Sequence, residues 1–152
     1  MQAKTEYPPL FPAGFHDIER DKLGHYFLDP FADKKHRQRL VDGLFKFLSL
    51  LDEFNIDLEI WVDGSFSTTK PDPSDVDVFV LGSDNEISQL NADGQDRFRA
   101  IFTEYNETKI RYNCDVSFIN SLYDDERTNS RGWFGFTRKD EPKGIPRIWL
   151  KT

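Results

Sequence analysis

Between Ile60 and Leu81 the chain reads IWVDGSFSTTKPDPSDVDVFVL, an apolar strand pattern, a Gly-Ser turn, a polar loop and a second apolar run that opens on two aspartates. Upstream, Ile56, Leu58, Ile60 and Val62 alternate with Asp57, Glu59, Trp61 and Asp63, the period-2 pattern of a strand with one face buried. Nine residues rich in Ser, Thr, Pro and Asp separate Ser65 from Asp75, and that composition predicts a loop. Asp75-Val76-Asp77 then leads into Val78 to Leu81, the second strand. Residues two apart in a strand share a face, so Asp75 and Asp77 are expected to stand side by side. Carboxylates so placed repel unless a cation lies between them, and hard Mg²⁺ or Mn²⁺ suits such oxygen ligands. A metal site is the expectation.

A third carboxylate follows in Cys114-Asp115-Val116-Ser117-Phe118-Ile119, again a strand pattern, and a neighbouring strand would bring Asp115 beside the other two. A Gly-Ser turn at a helix start offers backbone N–H groups to a phosphate. Ser67, Thr68, Thr69 and Lys70 would add hydroxyls and an amine near the β and γ oxygens of a triphosphate. For Lys70 the reading as a phosphate contact and the reading as an ordinary surface residue stand level. Pro71 and Pro73 fix φ on the approach to Asp75.

The order Gly64-Ser65, nine residues, Asp75-x-Asp77, then a lone Asp115 on a later strand resembles the signature of the polymerase beta type nucleotidyltransferase superfamily, over residues 56 to 119. Small size and simplicity make the chain similar to the minimal nucleotidyltransferases, single-domain proteins often paired with a ribonuclease toxin of the HEPN type. The resemblance implies a mixed sheet flanked by helices. It also implies that Gly64 and Ser65 hold nucleotide phosphates, that Asp75 and Asp77 bind the metals and that Asp115 completes the site. The implied reaction moves a nucleoside monophosphate, by default AMP from ATP, to a hydroxyl of a protein or RNA acceptor, with a toxin encoded alongside as one such partner. The alternative is a noncatalytic nucleotide-binding or interaction module of the same fold. The segments YPPLFPAGFHDI and RGWFGFTRKDEPKGI also resemble those of a bacterial family that carries this core and supplies no function.

At 152 residues the chain is expected to form one α+β domain, and 38% hydrophobic residues with fourteen Phe suffice for a core without staples. One cysteine, Cys114, leaves no internal disulfide framework and no thiolate zinc cluster, and fits a reducing compartment. No apolar run is long enough to span a membrane, and MQAKTEYPP lacks the apolar core of a signal peptide. A cytoplasmic protein with no membrane partner is expected. The net charge of −7 argues against a broad nucleic-acid footprint; it leaves a nucleotide site open, because a bound cation's own charge dominates locally.

Elsewhere, residues 1 to 15, with Pro8, Pro9, Pro12 and Gly14, predict an extended arm lying on the body through Tyr7, Leu10, Phe11 and Phe15. Asp17 is the expected N-cap of a short helix ending before Pro30. Leu40, Val41, Leu44, Phe45, Phe47, Leu48 and Leu51 give a helical stripe from Asp33 to about Phe54. Lys34, Lys35, Arg37 and Arg39 in its first turns are expected on a solvated face. His16, His25 and His36 lack metal-cluster spacing and read as surface or capping residues. Phe98, Ile101, Phe102 and Tyr105 predict a second helix, while Lys109 to Asn113 lead into the Asp115 strand; if that strand extends back so far, Arg111 shares a face with Asp115, where an ion pair is favoured over a phosphate or acceptor contact. Residues 120 to 131 read as a loop or short helix. Residues 132 to 150 read as a hairpin in which Trp133, Phe134 and Phe136 close the sheet.

Overall fold

The protein is described by a computed structural model over residues 7–121 and 143–151. Its centre is a mixed five-stranded sheet in the order β1-β5-β2-β3-β4, built from β1 (Gly14–Asp17), β2 (Leu58–Asp63), β3 (Val76–Gly82), β4 (Cys114–Asn120) and β5 (Gly144–Leu150). Strand β2 lies antiparallel to both β3 and β5, whereas β3 and β4 run parallel, as do β1 and β5. A parallel pair needs a long crossover, and three helices supply it: α3 (Asp84–Ser88), α4 (Ala92–Thr103) and α5 (Tyr105–Tyr112). Ser83 and Asn91 start α3 and α4, their side-chain oxygens accepting from the amides of Asn85 and Gly94. The α+β class and the helix-flanked mixed sheet thus agree with the sequence.

Helix α2 (Lys35–Asp52) turns Leu40, Leu44, Phe47, Leu48 and Leu51 inward, each fully buried, onto the face of the sheet made by Leu58, Ile60, Val62, Val76, Val78 and Val80. It approaches α5 closely because Gly43 has no side chain; a Cβ there would fall 2.1 Å from the Tyr112 carbonyl oxygen. The short α1 (Leu23–Phe27) adds Leu23 and Phe27 to the same core.

Phe45 and Tyr105, read as part of apolar helix faces, are exposed, and Tyr105 begins α5 rather than continuing α4. Four further expectations change. Strand β2 is buried on both faces, not one: Glu59 is 5% exposed, Asp63 4% and Trp61 0%. It is the central strand, and its second face carries Trp61 with Leu81 and Ile145 as a small apolar cluster, flanked by acids paired to Arg147 and Lys143. Asp17 caps no helix. It is the last residue of β1 and accepts from Arg147 Nε at 2.6 Å, because the described part of the arm, from Tyr7 on, continues into the sheet. Lys109 to Tyr112 are helical, so Arg111 shares no strand face with Asp115; the chain turns into β4 only at Asn113, which takes a left-handed conformation at φ 58°. Finally, Arg37 is fully buried and not on a solvated face.

Of the arm, the described residues lie on the body, with Leu10 N–H donating to the Ser67 carbonyl and Thr69 N–H to that of Pro8; residues 1–6 lie outside the described residues. In the C-terminal segment, β5 is present; the hairpin partner expected around Trp133, Phe134 and Phe136 lies outside the described residues. No helix among the described residues is long and apolar enough to cross a membrane.

Candidate active site

Register assembles the acids. Asp77 pairs with Asp115 across the parallel β3–β4 ladder and with Asp63 across the antiparallel β2–β3 ladder. Directly paired residues share a face, so three carboxylates form a row at one end of the sheet, with Asp75 just before β3 completing the group. One carboxylate oxygen each from Asp75, Asp77 and Asp115 lies within 4.8 Å of the others. Asp75 and Asp77 are half-buried and Asp115 is exposed, so the cluster has a closed side and an open mouth.

The turn beside it is built to let Asp77 in. Gly64 sits at φ +75°, where L side chains are strained, and a Cβ there would fall 1.9 Å from Asp77 Oδ2. Ser65 to Ser67 then form a single 3₁₀ turn, tied back by Ser67 Oγ donating to the Val62 carbonyl at 3.0 Å. Such a turn leaves its first amides without partners inside it. Gly64→Ala is therefore expected to cost about 2 kcal/mol from backbone conformation alone and to push Asp77 out of the row. Urea denaturation reads the loss; a variant with wild-type stability would contradict the close approach.

Arg37 orders the loop that follows. From the first turn of α2 its guanidinium donates to the carbonyls of Phe66 at 2.9 Å, Thr68 at 2.8 Å and Lys70 at 2.7 Å, and to Phe27 at 3.3 Å. It stacks on Phe31, 3.7 Å from the ring centroid. Burial lowers its pKa to about 10, so it stays cationic at neutral pH. His36, the preceding residue, contacts the Pro73 carbonyl. One helix end thus holds both flanks of the loop. Lys70 gives its carbonyl to Arg37, and its ammonium has no ion pair among the described residues.

Two lysines escaped the sequence reading. Lys143 donates to Asp63 Oδ1 at 2.7 Å, largely buried with it. Lys109 reaches Asp75 Oδ2 at 3.1 Å from a half-exposed position on α5, and its pKa is raised chiefly by that hydrogen bond. No local pattern points to either; Lys109 becomes visible only once α5 is known to be helical.

The electrostatics would suit a divalent cation. Burial first, then Asp75, Asp115 and Asp63, push Asp77 up from 3.8 to about 7, with Lys109 pulling the other way. Oxygens that converge at this spacing, with a carboxyl whose ionisation burial and then like charges oppose, are a donor set that a hard divalent cation would relieve. Behind them, burial first and then Asp75 and Asp77 raise the pKa of the Cys114 thiol. Cys114 is expected to react with a thiol reagent only on unfolding, with native labelling at least about a hundredfold slower than in denaturant; rapid native labelling would contradict its burial beneath the site.

A family model described as a family of unknown function, DUF6932, matches residues 3–149, and the chain belongs to that family. No curated protein and no solved structure matches the chain.

Proposed function

We propose that this DUF6932 member is a metal-dependent nucleotidyltransferase that moves a nucleoside monophosphate, AMP from ATP by default, to a hydroxyl of a protein or RNA acceptor. The observation that carries the reading is the register that sets Asp77 beside Asp115, with Asp75 within 4.8 Å and the Gly64–Ser65 turn touching Asp77. Three convergent carboxylates next to a glycine turn fit nucleotidyl transfer, in which a protein supplies position and charge. A toxin encoded alongside is the partner that the likeness to minimal nucleotidyltransferases suggests as acceptor.

Asp75 and Asp77 would hold Mg²⁺ or Mn²⁺, with Asp115 closing the set. The cation's contribution is to neutralise the triphosphate and to acidify the acceptor hydroxyl. The amides of the Gly64–Ser65 turn would offer hydrogen-bond donors to the phosphates. Asp115, the most exposed of the three, takes the acceptor's proton as its oxygen attacks the α-phosphorus, and the bond to pyrophosphate breaks with its electron pair on the leaving group. The exposure of Asp115 would leave it within reach of a macromolecular acceptor.

Calorimetry of each of the four nucleoside triphosphates with Mg²⁺ tests the reading, and α-labelled nucleotide then follows transfer. Metal-dependent binding of a triphosphate is expected. If none of the four binds, the reading fails; binding without any transfer would favour the noncatalytic module.

A further inference from the structure

We infer that Lys109 is an exchangeable counter-ion: its ammonium offsets part of the aspartate cluster's charge when no divalent cation is bound and turns to the triphosphate when one is. This rests on the nucleotidyltransferase reading and adds a residue to it. The two lysines at the cluster are held differently. Lys143 lies against buried Asp63, 6% exposed in its side chain, and is itself 19% exposed. Lys109 is 48% exposed and touches the cluster only at its tip.

A divalent cation held by Asp75 would stand only a few ångströms from the ammonium that lies 3.1 Å from Oδ2. The two cations repel, and the one on a flexible, hydrated four-carbon stem is the one that moves. Lys109 lies one helical turn before Asn113, where the chain enters β4 and Asp115. A triphosphate at that mouth offers the displaced ammonium a new partner with no change in the backbone.

The consequence is a pair of effects of opposite sign. Replacing Lys109 by Met removes the competitor, so Mn²⁺ alone is expected to bind about 5-fold tighter, the scale for a unit and a double charge about 5 Å apart in a screened, water-like medium. The same variant loses a phosphate contact, so inorganic tripolyphosphate at saturating Mg²⁺ is expected to bind about 5-fold more weakly. Lys109→Arg keeps the charge and is expected to return both affinities towards wild type. Calorimetry on the full chain measures each, and the exposed position lets both variants fold. Affinities that shift together, or that do not shift, would overturn the exchange while leaving wild-type metal binding, and with it the active-site reading, intact. Wild-type protein that binds neither Mn²⁺ nor Mg²⁺-tripolyphosphate would sink both.

Discussion

Asp77→Asn is expected to make the cation-free protein more stable and to abolish its response to divalent metal. The first effect follows from burial and from three neighbouring carboxylates that raise the pKa of Asp77 from 3.8 to about 7. Such a group favours the folded state fully below pH 4, where both states carry the proton. As pH rises towards 7 the unfolded chain ionises while the folded one resists, and above 7 the folded protein carries the whole cost of the buried charge. That cost is about 2–4 kcal/mol, taking about 1.4 kcal/mol for each tenfold change in proton affinity and discounting for solvent near the open mouth.

A neutral amide of the same shape escapes it. At pH 8 the variant is expected to melt about 5–10 °C above wild type, with the gain shrinking towards pH 4. Millimolar Mn²⁺ is expected to raise the melting temperature of wild type at pH 8, much less at pH 5, and not that of the variant. Thermal denaturation at the two pH values, with and without Mn²⁺, checks all of this. A variant less stable than wild type at pH 8 without metal would show that Asp77 supports the fold rather than straining it. On the proposed reading, function and stability pull apart at this residue, a pattern usual where a site holds like charges together.

The second large effect is expected at Arg37. Arg37→Met keeps much of the apolar stem but leaves the carbonyls of Phe66, Thr68 and Lys70 without their shared donor. Each buried acceptor stranded in this way costs about 1–3 kcal/mol, and partial rescue by water brings the expected total to about 3–5 kcal/mol, a large part of the stability of an ordinary domain. Arg37→Lys is expected to recover little, since a point-charge ammonium reproduces neither the fork that spans the carbonyls nor the planar contact with Phe31. Urea denaturation gives the loss directly. Because the loop starts at the Gly64–Ser65 turn, metal-dependent triphosphate binding is expected to weaken in both variants, including under conditions where they are fully folded. An Arg37→Met protein with wild-type stability and wild-type triphosphate binding would remove Arg37 as the organiser of the loop.

Arg37 also shows where a sequence reading goes astray. It stands among Lys34, Lys35 and Arg39 at the start of an amphipathic helix, and composition places such a group in solvent. The signal that distinguishes it is periodic: Arg37 precedes Leu40, Val41 and Leu44 by three, four and seven residues, and so lies on their buried stripe. Lys109 is the converse case, legible as a cation but not as a neighbour of Asp75, because its segment reads only as the lead into a strand. Asp63 was visible only as one polar step of an alternating pattern. Its place in the acidic row depends on a pairing with Asp77 that hydropathy does not report.

What the chain determines locally is therefore the two strands, the Gly-Ser turn between them, the loop that turn requires, and the side-by-side placing of Asp75 and Asp77, all consequences of backbone geometry within some twenty residues. The α+β class and the helical stripe of α2 follow from the same kind of periodicity. Tertiary structure alone decided that β4 pairs with β3 in the register that sets Asp115 beside Asp77, that Asp63 and Lys143 close the far side, and that Arg37 and Lys109 come to the loop and the mouth. The physical reason is that a hydrophobic period records which face of an element is buried but not which element buries it. Partners at the site come from segments up to eighty residues apart, as Asp63 and Lys143 are, and only the packed sheet selects among the pairings that those faces allow.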